Sequence, residues 1–212
     1  MKALVDGYRR FRSEVFPEKQ WLYEALADGQ RPAHLIITCS DSRVQPTEFT
    51  GAEPGVFFME RCLGNIVPEP DKGETDTASI VEYAVIALEV RDIIVVGHSN
   101  CGAMQALLNP EVLGGMPIVT AWMEHARETL EIVRERYPDL TGKALLDATI
   151  RTNVLVMLGR VRRMPCVAER IADGRVTVHG WVFDIEEGRV FAHNDGTGGY
   201  VDLDELYEEF QS

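Results

Sequence analysis

Cysteine is scarce in this chain and nowhere closely paired. Cys39, Cys62, Cys101 and Cys166 are the four among 212 residues, and no Cys-x-x-Cys occurs. An even count would suit two disulfides in an exported protein. Met1 to Arg10, however, has neither a long apolar core nor a cleavage-like site, so metal binding is the better reading of the thiols. No run of about 18 apolar residues exists, so no membrane-spanning helix is expected. Positive charge is also short: 21 Lys and Arg stand against 34 Asp and Glu, a net charge of -13. That balance argues against nucleic acid or an anionic membrane surface as a partner. Repeats, low-complexity tracts and linkers are missing, so residues 1–212 read as one cytoplasmic domain with room for a sizeable core.

What is there alternates between short apolar runs and helical periodicity. Leu4, Tyr8, Phe11 and Val15 mark a helix up to Phe16, which Pro17 is expected to interrupt, and Glu18 to Asp28 reads as a second helix. Residues 1–28 thus form a helical arm, placed at a subunit interface. Leu35 to Thr38, Val56 to Met59 and Ile93 to Val96 read as strands; Thr77 to Val90 and Gly102 to Leu108 read as helices between and after them. Val119 to Tyr137 and Leu145 to Met164 read as longer helices. Val176 to Phe183 and Arg189 to Ala192 read as a late strand pair, and Leu203 to Phe210 as a terminal helix. The pattern predicts an α/β fold: a central, mostly parallel sheet flanked by helices, with an N-terminal helical arm.

The chemistry gathers at two strand ends. Cys39, in Cys39-Ser40-Asp41-Ser42-Arg43, follows the first strand; His98 and Cys101, in Gly97-His98-Ser99-Asn100-Cys101-Gly102, follow the third. If the strands are parallel neighbours, two thiolates and one imidazole meet where open sheets bind ligands. Such a set makes three-quarters of a tetrahedral zinc site, with the fourth position left for water. Asp41 could accept a hydrogen bond from zinc-bound hydroxide, with Arg43 holding it ionised, or it could itself ligate the metal and close the site. Zinc with two thiolates is formally neutral and acidifies its water less than a tris-imidazole site. Activity is therefore expected to rise through mildly alkaline pH.

These motifs resemble those of the β-class carbonic anhydrases, and the likeness runs from Gln30 to about Asp202. Its most specific parts are Cys39-Ser40-Asp41-Ser42-Arg43-Val44 and Gly97-His98-Ser99-Asn100-Cys101-Gly102-Ala103-Met104, supported by Glu53-Pro54-Gly55, Glu82-Tyr83-Ala84-Val85 and His179-Gly180-Trp181. The resemblance implies one zinc ion per chain on Cys39, His98 and Cys101, an Asp41–Arg43 dyad, and reversible hydration of carbon dioxide to bicarbonate and a proton. It implies a substrate pocket in which Gln30 hydrogen-bonds bicarbonate, Phe58 and Tyr83 form aromatic walls, Leu63 replaces a smaller valine, and Gly102 adjoins the second cysteine ligand. In this family the pocket is shared across a dimer interface, which implies a homodimer or homotetramer. Gln30, and Ile36 where the allosteric bacterial form has tryptophan, imply the plant-like open site with Asp41 off the metal.

One departure stands out. Arg61-Cys62-Leu63-Gly64-Asn65 carries Cys62 where the family usually has asparagine, and a packed, free thiol is expected there. Cys166 is expected to be a buried hydrophobe. His34, His125, His179 and His193 read as surface or structural residues, and Tyr207 to Glu209 as a solvated helix face. The proton released by hydration needs an acceptor, a solvent histidine or buffer, which the residues do not single out. Two other readings keep the zinc: hydrolysis of carbonyl sulfide or carbon disulfide on the same scaffold, and a non-catalytic, zinc-stabilised interaction module.

Overall fold

The structure, a computed structural model, describes residues 1–70 and 75–206. Its β-branched runs form the first, third and fourth of the strands β1 (His34–Cys39), β2 (Phe57–Cys62), β3 (Asp92–His98), β4 (Thr177–Asp184), β5 (Arg189–Asn194) and β6 (Gly199–Asp202). These make one sheet in the order β2-β1-β3-β4-β5-β6. The first four are mutually parallel, and β5 and β6 are added antiparallel. β1 and β3 lie inside the sheet and are buried on both faces, which is why they read as unbroken apolar runs rather than alternating ones.

The two faces are unequal. Leu35, Ile37, Ile93 and Val95 point into the large core beneath the helices α4 (Asp76–Ile86), α5 (Gly102–Leu108), α7 (Arg127–Arg136), α8 (Gly142–Arg163) and α9 (Pro165–Ala172). Ile36, Ile94, Val96 and Phe183 form a smaller cluster on the opposite face with Phe49, Phe57 and Trp181. α8 lies directly on the sheet. A Cβ on Gly97 would sit 2.7 Å from Val154 Cγ2 and 3.3 Å from Ile150 Cγ2. Gly97→Ala is therefore expected to lower stability by about 1–3 kcal/mol, measured as a reduced denaturation midpoint, because neither a rigid helix nor a central strand can give way.

Two expectations need correction. The chain does not break at Pro17: α1 (Lys2–Arg10), a π-helical turn (Phe11–Val15) and α2 (Phe16–Leu26) form one helical run. The Phe16 N–H bonds back to the Phe11 carbonyl, and this wider turn moves the preceding carbonyls off the proline ring. The long helix expected over Val119 to Tyr137 is divided into α6 (Pro117–Met123), a 3-10 turn (Glu124–Ala126) and α7. The turn frees the His125 carbonyl to accept from the buried Arg160 guanidinium, a tertiary bond that outcompetes the helical one. α9, the short α3 (Pro46–Phe49) and β6 were not foreseen. The terminal segment is helical at 203–206; the rest of Leu203 to Phe210, with Tyr207 to Glu209, lies outside the described residues.

The arm buries none of its own side chains. Lys19 pairs with Glu53 at 2.7 Å, and Leu26 packs over Gly55. Leu4, Tyr8 and Trp21 stay 71%, 58% and 70% exposed.

Candidate metal centre

The chain leaves β1 toward β2 on one side of the sheet and returns to β3 on the other, so a crevice opens at the carboxyl ends of β1 and β3. Thr38 stands opposite Val96 across the β1–β3 pair. Cys39 and His98 therefore emerge at the same edge. Asn100 takes a left-handed conformation (φ 55°), which asparagine tolerates well, and bends the chain back so that Cys101 precedes α5. All three residues are buried, and their ligand atoms lie within 4.8 Å of one another.

Each donor is prepared by its surroundings. His98 Nδ1 lies 3.0 Å from the Ser99 carbonyl, so Nδ1 carries the proton and Nε2 presents its lone pair. That Nε2 is buried and has no hydrogen-bond partner among the described residues. An orphaned ring nitrogen beside two thiols fits a soft divalent cation. The Gly64 N–H donates to Cys39 Sγ at 3.3 Å. The Cys101 thiol, working against burial and helped by His98 and by the backbone at Asp41 and Gly64, lowers Cys39 to about 4. Cys101 is pushed up in turn, because the proton it holds serves the Cys39 thiolate and because it is buried. A cation between the two sulfurs replaces that proton, and metal binding at such a pair releases it.

Asp41 and Arg43 form a two-pronged pair. Arg43 Nε donates to Oδ1 at 2.9 Å and Nη2 to Oδ2 at 2.8 Å, while the Arg43 backbone N–H also reaches Oδ1 at 2.9 Å. The guanidinium holds the Asp41 carboxyl far below the usual carboxylate range. Asp41 Oδ2 lies 3.9 Å from His98 Nε2. Arg43 Nη2 donates in addition to the Asn100 carbonyl at 3.1 Å, tying the loop after β1 to the loop after β3.

Two supports were not foreseen. Arg61, on β2, donates from Nη2 to the carbonyls of Cys39 (3.0 Å), Asp41 (2.8 Å) and Val44 (2.8 Å). One guanidinium thus shapes the whole loop that carries Cys39 and Asp41. Its sequence signal was the adjacent charged pair Glu60-Arg61 interrupting the apolar run of β2. Asn153, in the middle of α8, donates to the Gly64 carbonyl at 3.1 Å and accepts from Thr129 Oγ1 at the same distance. It holds the turn whose N–H meets Cys39. Gly64 itself has φ 73°, and a Cβ there would lie 2.8 Å from the Ala103 Cβ.

Cys62 sits opposite Cys39 in the β1–β2 register, but its thiol donates to the Ile66 carbonyl at 3.3 Å. It lies outside the three-donor cluster, and burial pushes it up to about 12. It is a packed, protonated thiol. Cys166 is half-buried on α9. His34 and His179 share the Asp92 carboxylate, at 2.8 and 3.1 Å, at the far end of the sheet.

The expected pocket residues divide into two groups. Leu63 follows β2 directly, 38% exposed, and its carbonyl accepts from Trp122 Nε1 at 2.9 Å. Gly102 opens α5 beside Cys101. Both are at the crevice. Phe58 and Tyr83 touch each other, ring centroids 5.9 Å apart. Phe58, however, is opposite Leu35, four residues back along the strand from Cys39, or about 13 Å. Gln30 is exposed in the loop between α2 and β1. Within one chain these three are not brought to the thiols.

Comparison with known proteins agrees with this geometry. A family described as carbonic anhydrase matches residues 34–190. The carbonic anhydrase of Pseudomonas aeruginosa is 41% identical over 205 residues, covering 97% of this chain and 93% of the relative. That of a Synechocystis species is 38% identical over 195 residues, covering 92% and 71%. Among solved structures, the β-carbonic anhydrase CcaA superposes with a TM-score of 0.93 at 36% identity, covering 95% of this chain and 98% of the other. A tetrameric β-carbonic anhydrase of Sordaria macrospora gives 0.82 at 29% identity, covering 90% and 95%. Three soft donors at the switch point of a parallel sheet, in a chain with these relatives, establish that the protein belongs to the β class of the carbonic anhydrases.

Proposed function

We propose that the chain catalyses the reversible reaction of carbon dioxide and water to bicarbonate and a proton, with one zinc ion held by Cys39, His98 and Cys101. The observation that carries this reading is the buried, partnerless Nε2 of His98 facing two thiols, with an ionised carboxylate 3.9 Å away. Zinc in that place supplies a Lewis acid that acidifies and orients a water. Asp41 accepts a hydrogen bond from the attacking water and so aims its lone pair. Arg43 keeps Asp41 ionised and, by bonding both carboxylate oxygens, would hold it back from serving as a further metal donor. Leu63 and Gly102 border the approach to the metal.

Gln30, Phe58 and Tyr83 act in a neighbouring subunit's pocket in this reading, which is supported by the register that sets Phe58, with Tyr83 packed on it, well back along the strand from Cys39. A second copy also covers the exposed apolar residues of the arm. The homodimer or homotetramer is supported by a solved relative described as tetrameric. Four unpaired cysteines suit the reducing cytoplasm, where we place the protein. Among the described residues no helix is long and apolar enough to cross a membrane. The relatives reported above are carbonic anhydrases, and this supports neither the sulfide-releasing hydrolase nor the interaction module.

Stopped-flow carbon dioxide hydration of metal-assayed protein tests the proposal. One zinc per chain and a rate rising from about pH 7 to 9 are expected. Stoichiometric zinc with no turnover at alkaline pH would instead identify an interaction module.

A further inference from the structure

Glu60 is a buried acid that the reading above leaves without a task. It is 6% exposed, on β2. Its register partner is Ile37, and it shares a face with Phe58 and with Cys62, which stands opposite Cys39. From the strand spacing and rise, its Cα lies about 8 Å from that of Cys39. Around it the face is apolar, built from Leu35, Ile37, Val81 and Val85. Its hydrogen-bond partner is Thr77 Oγ1 at 3.2 Å, and no cation pairs with it among the described residues. An uncompensated carboxyl in such a place is seldom structural.

Thr77 is the second residue of α4, and its neighbour Asp76 is exposed at the start of that helix. A carboxyl bonded to a buried hydroxyl thus lies one strand from Cys39, and the next residue along the chain from that hydroxyl is exposed. The proposed reaction frees a proton in each turnover, and the three-donor cluster contains no histidine but His98 itself.

We propose that Glu60 is the proton relay of this enzyme, carrying the proton released at the metal centre through Thr77 to solvent beside Asp76. This rests on the proposed carbonic anhydrase activity. In the step, the Glu60 carboxylate accepts a proton that arrives through water and becomes the neutral acid. The acid donates to Thr77 Oγ1 as the Thr77 hydroxyl gives up its own proton to water at the start of α4, which restores the carboxylate. Burial raises Glu60 above the ordinary glutamate value, Thr77 opposes this, and the like charge of Asp76 adds to it. The other titratable groups on this face are Cys62 on the same strand, which stays protonated, Cys39 on β1, and Tyr83 on α4, which packs on Phe58.

The experiment compares wild type, Glu60→Gln and Thr77→Val in weak buffer and in rising concentrations of imidazole. Both variants are expected to lose about tenfold or more in kcat in weak buffer. Imidazole should restore it, while kcat/KM, which reports the carbon dioxide step, holds at the wild-type value. An infrared carboxyl band of the wild type that titrates above the ordinary glutamate range, and is missing from Glu60→Gln, is expected alongside. Unchanged kcat, an equal fall in kcat and kcat/KM, or a loss that imidazole does not restore overturns the relay. Wild type without turnover removes the activity reading and the relay with it, whereas active wild type with indifferent variants removes the relay alone.

Discussion

Cys101→Ala is expected to emerge from purification without stoichiometric zinc and to hydrate carbon dioxide at least about 10³-fold more slowly, since a Lewis acid contributes several kcal/mol and each ~1.4 kcal/mol is tenfold. Two properties of the site make the effect large. In the proposed site the three donors have none in reserve among the described residues: Cys62 bonds to the Ile66 carbonyl and Asp41 is paired with Arg43. The pocket that remains also holds a Cys39 thiol whose ordinary partner has gone, so its thiolate loses its largest stabilising contact. Metal analysis beside stopped-flow rates checks the result. A variant that retained zinc and most of its rate would show that the metal is held elsewhere. The fold should survive, because Cys101 is the N-cap of α5 through its backbone alone, with no capping hydrogen bond from its side chain.

The second large effect is at Arg61. Arg61→Met is expected to lower stability by about 3 kcal/mol, from three carbonyl bonds to a charged donor that is only partly buried. Zinc affinity and turnover should fall by about 10- to 100-fold, the usual consequence of releasing the groups that orient metal ligands. Without the guanidinium, the carbonyls of Cys39, Asp41 and Val44 lose their shared donor, and the loop between β1 and α3 can no longer hold both a sulfur and a carboxylate in place. Arg61→Lys should rescue little, since an ammonium lacks the planar fork that reaches the Cys39 carbonyl through Nε as well as Nη2 and Gln45 Oε1 through Nη1. Denaturant midpoints and competitive chelator titration measure the two parts separately. Full activity in Arg61→Met would mean that Arg43 alone shapes the loop.

Much of the centre was legible before any coordinates. His98 and Cys101 are three apart, a local relation that the chain itself enforces. Cys39 follows an apolar run of strand type, and the parallel α/β pattern brings such strand ends together. The spacing of Asp41 and Arg43 likewise allows a pair that forms within one turn of chain, and their fork is found as foreseen. The helical run through Pro17 was not legible, because a π turn is a register choice that leaves no mark in composition. The break at Glu124–Ala126 was not legible either, since it depends on Arg160, far along the chain.

The sequence by itself determined which residues could hold a metal, because ligand chemistry belongs to side chains and the short-range spacing of His98 and Cys101 is covalent. It also determined the fold class, through the periods of its apolar residues. Only the tertiary structure decided which further side chains support the site and how: Arg61 from β2 and Asn153 from α8 take their roles from contacts between segments distant in sequence. It alone set Phe58 opposite Leu35, back along the strand from Cys39. Periodicity assigns a residue to a face, while the position along a strand at which that face meets its neighbour is set by packing and register.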